Sequence, residues 1–185
     1  MPLSQSLTDL RPRLRAFDDG VDAAVDRVRG TKHLDRAFYA ASELGDFSLV
    51  WHLVGAARGL TSDSRADEAI RLSVVLAGES LLVNGVIKSF FRRGRPEWTA
   101  VTPRPHRLRR PRSSSFPSGH ASAAFTAATL LAEDDPLWPL YYAAAAFVAS
   151  SRTYVKIHHA SDVLAGAATG IILGRIARKA WPKPH

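Results

Sequence analysis

Three short stretches gather the side chains that could do chemistry. Phe116–Pro117–Ser118–Gly119–His120 opens an apolar run from Ala121 to Ala132. Proline suits a helix start, where the first N–H groups have no intrahelical partner, and Gly119 permits close approach to the backbone. The N–H groups and hydroxyl around Ser118, at the positive end of a helix dipole, make a site for an anion. His120 adds a titratable group there, so the stretch reads as a phosphate cradle with an acid attached. Alone it is equally compatible with Ser118 as a plain helix cap and His120 as a surface histidine. Lys88 and Arg95 stand seven residues apart, two helical turns, and are expected to project from one helix face before Pro96 stops it. Ser151–Arg152 leads to His158 and Asp162 at i and i+4, a spacing at which a helical carboxylate reaches the imidazole and holds its tautomer. That pair is the base-and-orienter half of a catalytic triad.

These residues must be positioned by helices. Leu7, Leu10, Leu14, Phe17, Val21, Ala24, Val25 and Val28 recur at three- and four-residue steps, so residues 5–29 read as an amphipathic helix, either lying on a membrane surface or packed on the fold. Further helices are expected over Leu34–Leu60, Ala66–Arg92, Ser118–Glu133, Leu137–Thr153 and His159–Ala180. No stretch alternates with period two, so no sheet is expected. If the helices are antiparallel neighbours, all three reactive clusters fall at one end of a bundle. Residues 1–33 form an N-terminal amphipathic interfacial helix on this reading, and residues 34–185 the helical-bundle domain.

The charge-free runs Pro136–Ser151 and Gly119–Ala132 are shorter than the ~20 residues of a full span. Glu43, Asp46, His52 and Glu79 also interrupt the earlier helices. Favouring a membrane, Trp138, Tyr141, Tyr142 and Trp181 sit near helix ends as in an interfacial belt, and Gly166, Gly170 and Gly174 form a small-xxx-small stripe. The fold expected is therefore an all-α integral membrane bundle with about five spanning helices plus the N-terminal amphipathic helix. A soluble all-α bundle is the alternative.

The chain carries 25 Lys+Arg against 17 Asp+Glu, net +8, and no cysteine, which rules out a disulfide framework or a thiolate metal site. The basic balance admits anionic lipid, nucleic acid or a phosphorylated substrate. A nucleic-acid-binding reading of the arginine loop would leave His158, Asp162 and the Pro-Ser-Gly-His helix start without a purpose.

The ordered set K-x6-R-P, P-S-G-H and S-R-x5-H-x3-D, residues 88 to 162, resembles the signature of the type-2 phosphatidic acid phosphatase superfamily, which includes lipid phosphatases, bacterial acid phosphatases and vanadium haloperoxidases. All eleven specified positions are met. The resemblance implies His158 as nucleophile forming a phosphohistidine, Asp162 orienting it, and His120 as general acid and then base. It further implies Lys88, Arg95, Arg152, Ser118 and Gly119 as the phosphate-binding set, with no metal and no cofactor. The expected function is an integral membrane lipid phosphatase acting on phosphatidic acid, phosphatidylglycerophosphate or a polyprenyl-linked phosphate. The alternative is a soluble acid phosphatase or vanadate-dependent haloperoxidase using the same pocket. Partners are then lipid phosphate and membrane lipids, not nucleic acid.

Outside this set, His159 reads as a bystander, the glycine stripe as packing, and Asp46 and Glu79 as partners for the motif arginines or as functional acids. Arg92, Arg93, Arg104, Arg107, Arg109, Arg110 and Arg112 read as a solvated loop able to hold anionic headgroups. The excess of short-loop cations on the arginine-loop side puts a multi-pass protein in the inner (cell) membrane with its site facing the cytoplasm. Arg175, Arg178, Lys179 and Lys183 pull the other way.

Overall fold

A computed structural model describes residues 3–97 and 113–183. Seven α-helices run in the order α1 (Leu3–Asp26), α2 (Lys32–Leu44), α3 (Leu49–Gly59), α4 (Asp63–Ser80), α5 (Gly119–Leu131), α6 (Trp138–Tyr154) and α7 (Ala160–Ala180), and no strand occurs among the described residues. The fold is an all-α bundle. Asp63–Phe90 and Ala160–Ala180 are long and apolar enough to cross a membrane. At 11, 13 and 17 residues, α3, α5 and α6 are shorter than a straightforward span.

α5 is the axis of the bundle, packed against α4, α6 and α7. Its alanines 121, 123, 124, 127 and 128 are all buried, which is why it is apolar on every side rather than on one stripe. Such close packing needs small residues on both partners. A Cβ on Gly166 would stand 2.4 Å from Ser118 O, and one on Gly170 only 2.2 Å from Ser122 O. Thr126 Oγ1 donates across the same seam to Gly170 O at 3.1 Å. The glycine stripe is packing.

Two expected helices depart from their sequence reading. The long helix over residues 34–60 is broken at Gly45 by a short 3-10 turn, Asp46–Ser48, in which Phe47 and Ser48 take left-handed φ of 53° and 58°. Gly45 makes the break possible, because a Cβ there would lie 2.8 Å from the His120 ring and 2.9 Å from Val148. The helix beginning at α4 loosens into π turns over Leu81–Val86, tightens into a 3-10 turn over Ile87–Phe90, and ends there. Arg95 is therefore not on a helix with Lys88, as its spacing implied.

α1 docks on α6 and α7 through its acids. Asp22 and Asp26 accept from Lys156 Nζ at 3.1 and 3.3 Å, and Asp22 accepts from Arg29 at 2.7 Å. Leu10, Leu14 and Phe17 of its apolar stripe remain exposed. Its amphipathic pattern is thus inverted relative to a helix packed on a globular core.

A second set of charges closes the far end of the bundle. Arg71 pairs with Glu133 at 2.8 Å, Lys183 with Glu68 at 3.1 Å, Arg178 with Glu133 at 3.2 Å, and Arg58 with Asp135. Tyr141 joins this network through Asp135, and Tyr142 contacts Thr129, so of the expected aromatic belt only Trp138 and Trp181 are exposed.

Candidate active site

At the other end, a cavity of about 480 Å³ is lined by residues of the α2–α3 break, the α4 extension, the segments flanking residues 98–112, and the ends of α5 and α6. His120, His158, Lys88, Arg95, Arg152 and Gly119 all face it. Asp162 lies directly behind His158, with its Oδ2 3.7 Å from His158 Nδ1. The antiparallel arrangement brings the three sequence clusters together.

His158 is not on a helix: it ends the turn after α6, two residues ahead of α7, and is 3% exposed. Asp162 sits in the first turn of α7, where Oδ2 accepts the His159 N–H at 2.9 Å. His159 is the residue capping α7, which explains it without a role in the cavity. Arg95 Nη1 approaches His158 Nε2 at 3.4 Å, while Nδ1 faces the Asp162 carboxylate beyond hydrogen-bond distance. A donor at Nε2 and a carboxylate facing Nδ1 favour the tautomer with the proton on Nδ1 and the lone pair on Nε2. Burial, followed by the positive fields of Arg152 and Arg95, pushes the imidazole well below the ordinary histidine range despite the opposing pull of Asp162. A neutral imidazole with its lone pair aimed among cations is suited to attack phosphorus.

Arg95 is delivered by an extended segment, not a helix face. Ser115 N–H donates to Arg93 O at 3.0 Å and Ser115 Oγ to Gly94 O at 2.9 Å, tying that segment down. The guanidinium donates to Ile157 O at 2.9 Å and to Ser113 O and Ser114 O at 3.2 Å each. Lys88 Nζ donates to Asn84 Oδ1 at 2.8 Å. That Oδ1 would lie 2.6 Å from a Cβ on Gly119, so glycine is what lets the α5 start approach the lysine. Arg152 is 3% exposed and anchored on Ser42 Oγ, and its Nε has no partner among the described residues.

Ser118 is fully buried. Its N–H donates to Asp162 O at 3.0 Å and its Oγ caps α5 at the Ala121 N–H, 3.4 Å. The cap reading of Ser118 therefore applies, and the orphan N–H groups left at the helix start belong to Gly119 and His120. His120 Nε2 meets Asp46 Oδ1 at 2.8 Å. Asp46, half exposed at the α2–α3 break, thus belongs to this histidine. Glu79 pairs with no arginine among the described residues: it is 4% exposed, lines the cavity, and neither carboxylate oxygen makes a hydrogen bond of good geometry to them.

Arg93 is the residue that sequence reasoning passed over. It donates to Asp162 Oδ1 at 2.6 Å, to Ser161 Oγ at 2.8 Å and to Asp18 Oδ2 at 2.5 Å. Asp18 in turn accepts the Ser161 N–H at 2.8 Å. The carboxylate behind His158 is thereby held from α1, far outside the motifs. The only sequence signal was the adjacency of Arg93 to Arg95. Replacing Arg93 by alanine should lower kcat by about ten- to a hundredfold with KM little changed, because a small misplacement of the reacting group costs that much. Arg93→Lys should recover part of it, as read from initial rates normalised to folded protein.

The family model of the PAP2 superfamily matches residues 68–184. The chain belongs to that superfamily. It is 38% identical over 103 residues to a lipid A 1-phosphatase of Porphyromonas gingivalis, covering 51% of this chain and 20% of that protein. It is 35% identical over 91 residues to a decaprenylphosphoryl-5-phosphoribose phosphatase of Mycobacterium tuberculosis, 49% of each chain. These alignments span half or less of the curated relatives. Two solved PAP2 structures share the fold. The Bacillus subtilis transmembrane phosphatidylglycerolphosphate phosphatase superposes with TM-score 0.70 at 24% identity, covering 91% of this chain and 86% of that one. Aquifex aeolicus LpxE gives 0.68 at 28%, covering 86% and 93%. The PAP2 match begins at residue 68, so α1, the α2–α3 break and Asp46 lie outside it.

Proposed function

We propose that this PAP2 protein is a membrane lipid phosphatase that hydrolyses a phosphate ester or diphosphate through a phosphohistidine. The observation that carries the reading is the convergence of Lys88, Arg95 and Arg152 with two histidines on one cavity. Three fixed cations neutralise the charge spread over the equatorial oxygens of a phosphoryl transition state, and the Gly119 and His120 N–H groups add donors at a helix N-terminus. In this reading His158 Nε2 bonds to phosphorus as the ester oxygen departs. Asp162 stabilises the developing imidazolium. His120, steadied by Asp46, gives its proton to the departing alkoxide and then accepts one from the water that cleaves the phosphorus–nitrogen bond.

A lipid substrate is supported by the surroundings. The cavity mouth includes Phe47, 90% exposed, and α4 and its extension present Ile70, Val74, Leu81 and Phe90 outward. The outward apolar stripe of α1 suits a helix lying in the membrane surface. On this reading the protein is multi-pass in the cell membrane, with the arginine-loop end and its cavity on the cytoplasmic side. The relatives act, by their names, on lipid A, a decaprenyl-linked phosphoribose and phosphatidylglycerolphosphate.

The test is phosphate release by detergent-purified protein from a panel of lipid phosphates and one soluble ester, with EDTA present throughout. Release selective for lipids and indifferent to EDTA is the expected result. Release that requires an added metal overturns the phosphohistidine route. Halide oxidation with vanadate, without any phosphate release, would favour the haloperoxidase reading.

A further inference from the structure

The mechanism above leaves one buried acid of the cavity unused. Glu79 is 4% exposed, on α4, two residues before the helix loosens into π turns. Both its oxygens are shielded from solvent and make no hydrogen bond of good geometry among the described residues, with Ser122 Oγ of α5 the neutral polar group beside them. Leaving such groups unsatisfied is costly, so they mark a place where something else binds. Glu79 also shares the cavity wall with Lys88, nine residues further on. Nine residues are two and a half α-turns and would set the two on opposite faces. The intervening π turns, which close on i→i+5, wind fewer degrees per residue and shift that phase. π turns inside α-helices recur at functional sites for this kind of reason.

We propose that Glu79 accepts a hydrogen bond from a hydroxyl on the part of the substrate adjoining the scissile phosphate, making the protein selective for phosphate esters of polyols or sugars over lipids that bear none there. The inference rests on the lipid-phosphatase reading. A carboxylate accepts but does not donate, so its complement is an O–H or N–H donor. A cationic ammonium headgroup is disfavoured by Lys88, Arg95 and Arg152 on the same wall. A neutral hydroxyl meets the acid without that repulsion.

The experiment uses two matched pairs with the full-length protein in detergent. One is phosphatidylglycerophosphate and its analogue lacking the hydroxyl nearest the terminal phosphate. The other is a polyprenyl-phosphoryl pentose phosphate and its corresponding deoxy analogue. The wild-type protein is expected to favour the hydroxylated member of one pair by about ten- to a hundredfold in kcat/KM, and the pair that shows it identifies glycerol or sugar. In Glu79→Ala that ratio should collapse toward one, with KM for the hydroxylated lipid raised. Glu79→Gln, which keeps shape and one acceptor oxygen, should retain part of the ratio and serves if the alanine variant does not fold. A wild-type ratio near one in both pairs overturns the inference alone. So does a ratio that survives in the variants while both rates fall, since that is the behaviour of a structural acid. Release from none of the four lipids overturns the lipid-phosphatase reading and this inference with it.

Discussion

His158→Ala is expected to abolish phosphate release, lowering kcat by at least about 10⁴-fold, the scale on which removal of a covalent nucleophile acts in hydrolases. The expectation comes from three features that act together. The ring is buried, and burial disfavours its protonated form, which favours the neutral attacking form. Arg95 beside Nε2 and Asp162 behind Nδ1 favour the lone pair on Nε2. The 3.7 Å to Asp162 is longer than a hydrogen bond, and such contacts tighten when substrate places charge on the ring. The measurement is single-turnover release from a radiolabelled lipid phosphate, with an alkaline denaturing quench to trap phosphoenzyme. The wild-type protein should yield an acid-labile, base-stable adduct and the variant none. Retention of more than about 1% of the rate would remove His158 from the nucleophile's position.

Gly170→Ala should unfold the bundle at markedly lower temperature. The added methyl would sit 2.2 Å from Ser122 O and 3.0 Å from Phe125 Cβ. The first is a backbone atom of a helix buried against α4, α6 and α7, so it cannot turn aside as a side-chain tip would. Relief requires α5 and α7 to move apart, a strain of about 3 kcal/mol or more by analogy with overpacked cores. Gly166→Ala carries a second penalty. Its Cβ would press on Ser118 O at 2.4 Å, beside the bond from Ser118 N to Asp162 O, and activity should fall with stability. Gly78, in α4 with nothing within 4 Å of its Cβ, is the contrasting position. Alanine there should be neutral or stabilising by about 0.5–1 kcal/mol through helix propensity. Thermal unfolding in detergent compares the three. A Gly170→Ala protein as stable as wild type would mean that the α5–α7 seam is looser than described.

Much of the reactive set was legible because each motif constrains a local conformation. The glycine of Pro-Ser-Gly-His lets Asn84 and Lys88 reach the helix start, and the three glycines of α7 let two helices touch. Residues of that kind announce themselves by type and spacing. Helix periodicity likewise exposed the α1 pattern and the order of the bundle. Spacing misleads where a helix does not continue. Lys88 and Arg95 meet through an extended segment pinned by Ser115, and the helix through residue 45 is interrupted so that Asp46 can meet His120.

By itself, then, the sequence determined the all-helical class, the family, and that Lys88, Arg95, Gly119, His120, Arg152 and His158 are residues to look for at one site. What only the tertiary structure decided is which charge faces which. Asp18 reaches Arg93 across 75 residues, Arg93 reaches Asp162 across 69, and His120 reaches Asp46 across 74. No local pattern encodes those partners, because an acid or a base looks the same in sequence whether it meets solvent, an ion or a substrate. Glu79 is the sharpest instance. Its place in a helix was readable, but its burial on the cavity wall with Lys88, Arg95 and Arg152, with no hydrogen bond of good geometry among the described residues, follows from a π turn and from the packing of α5.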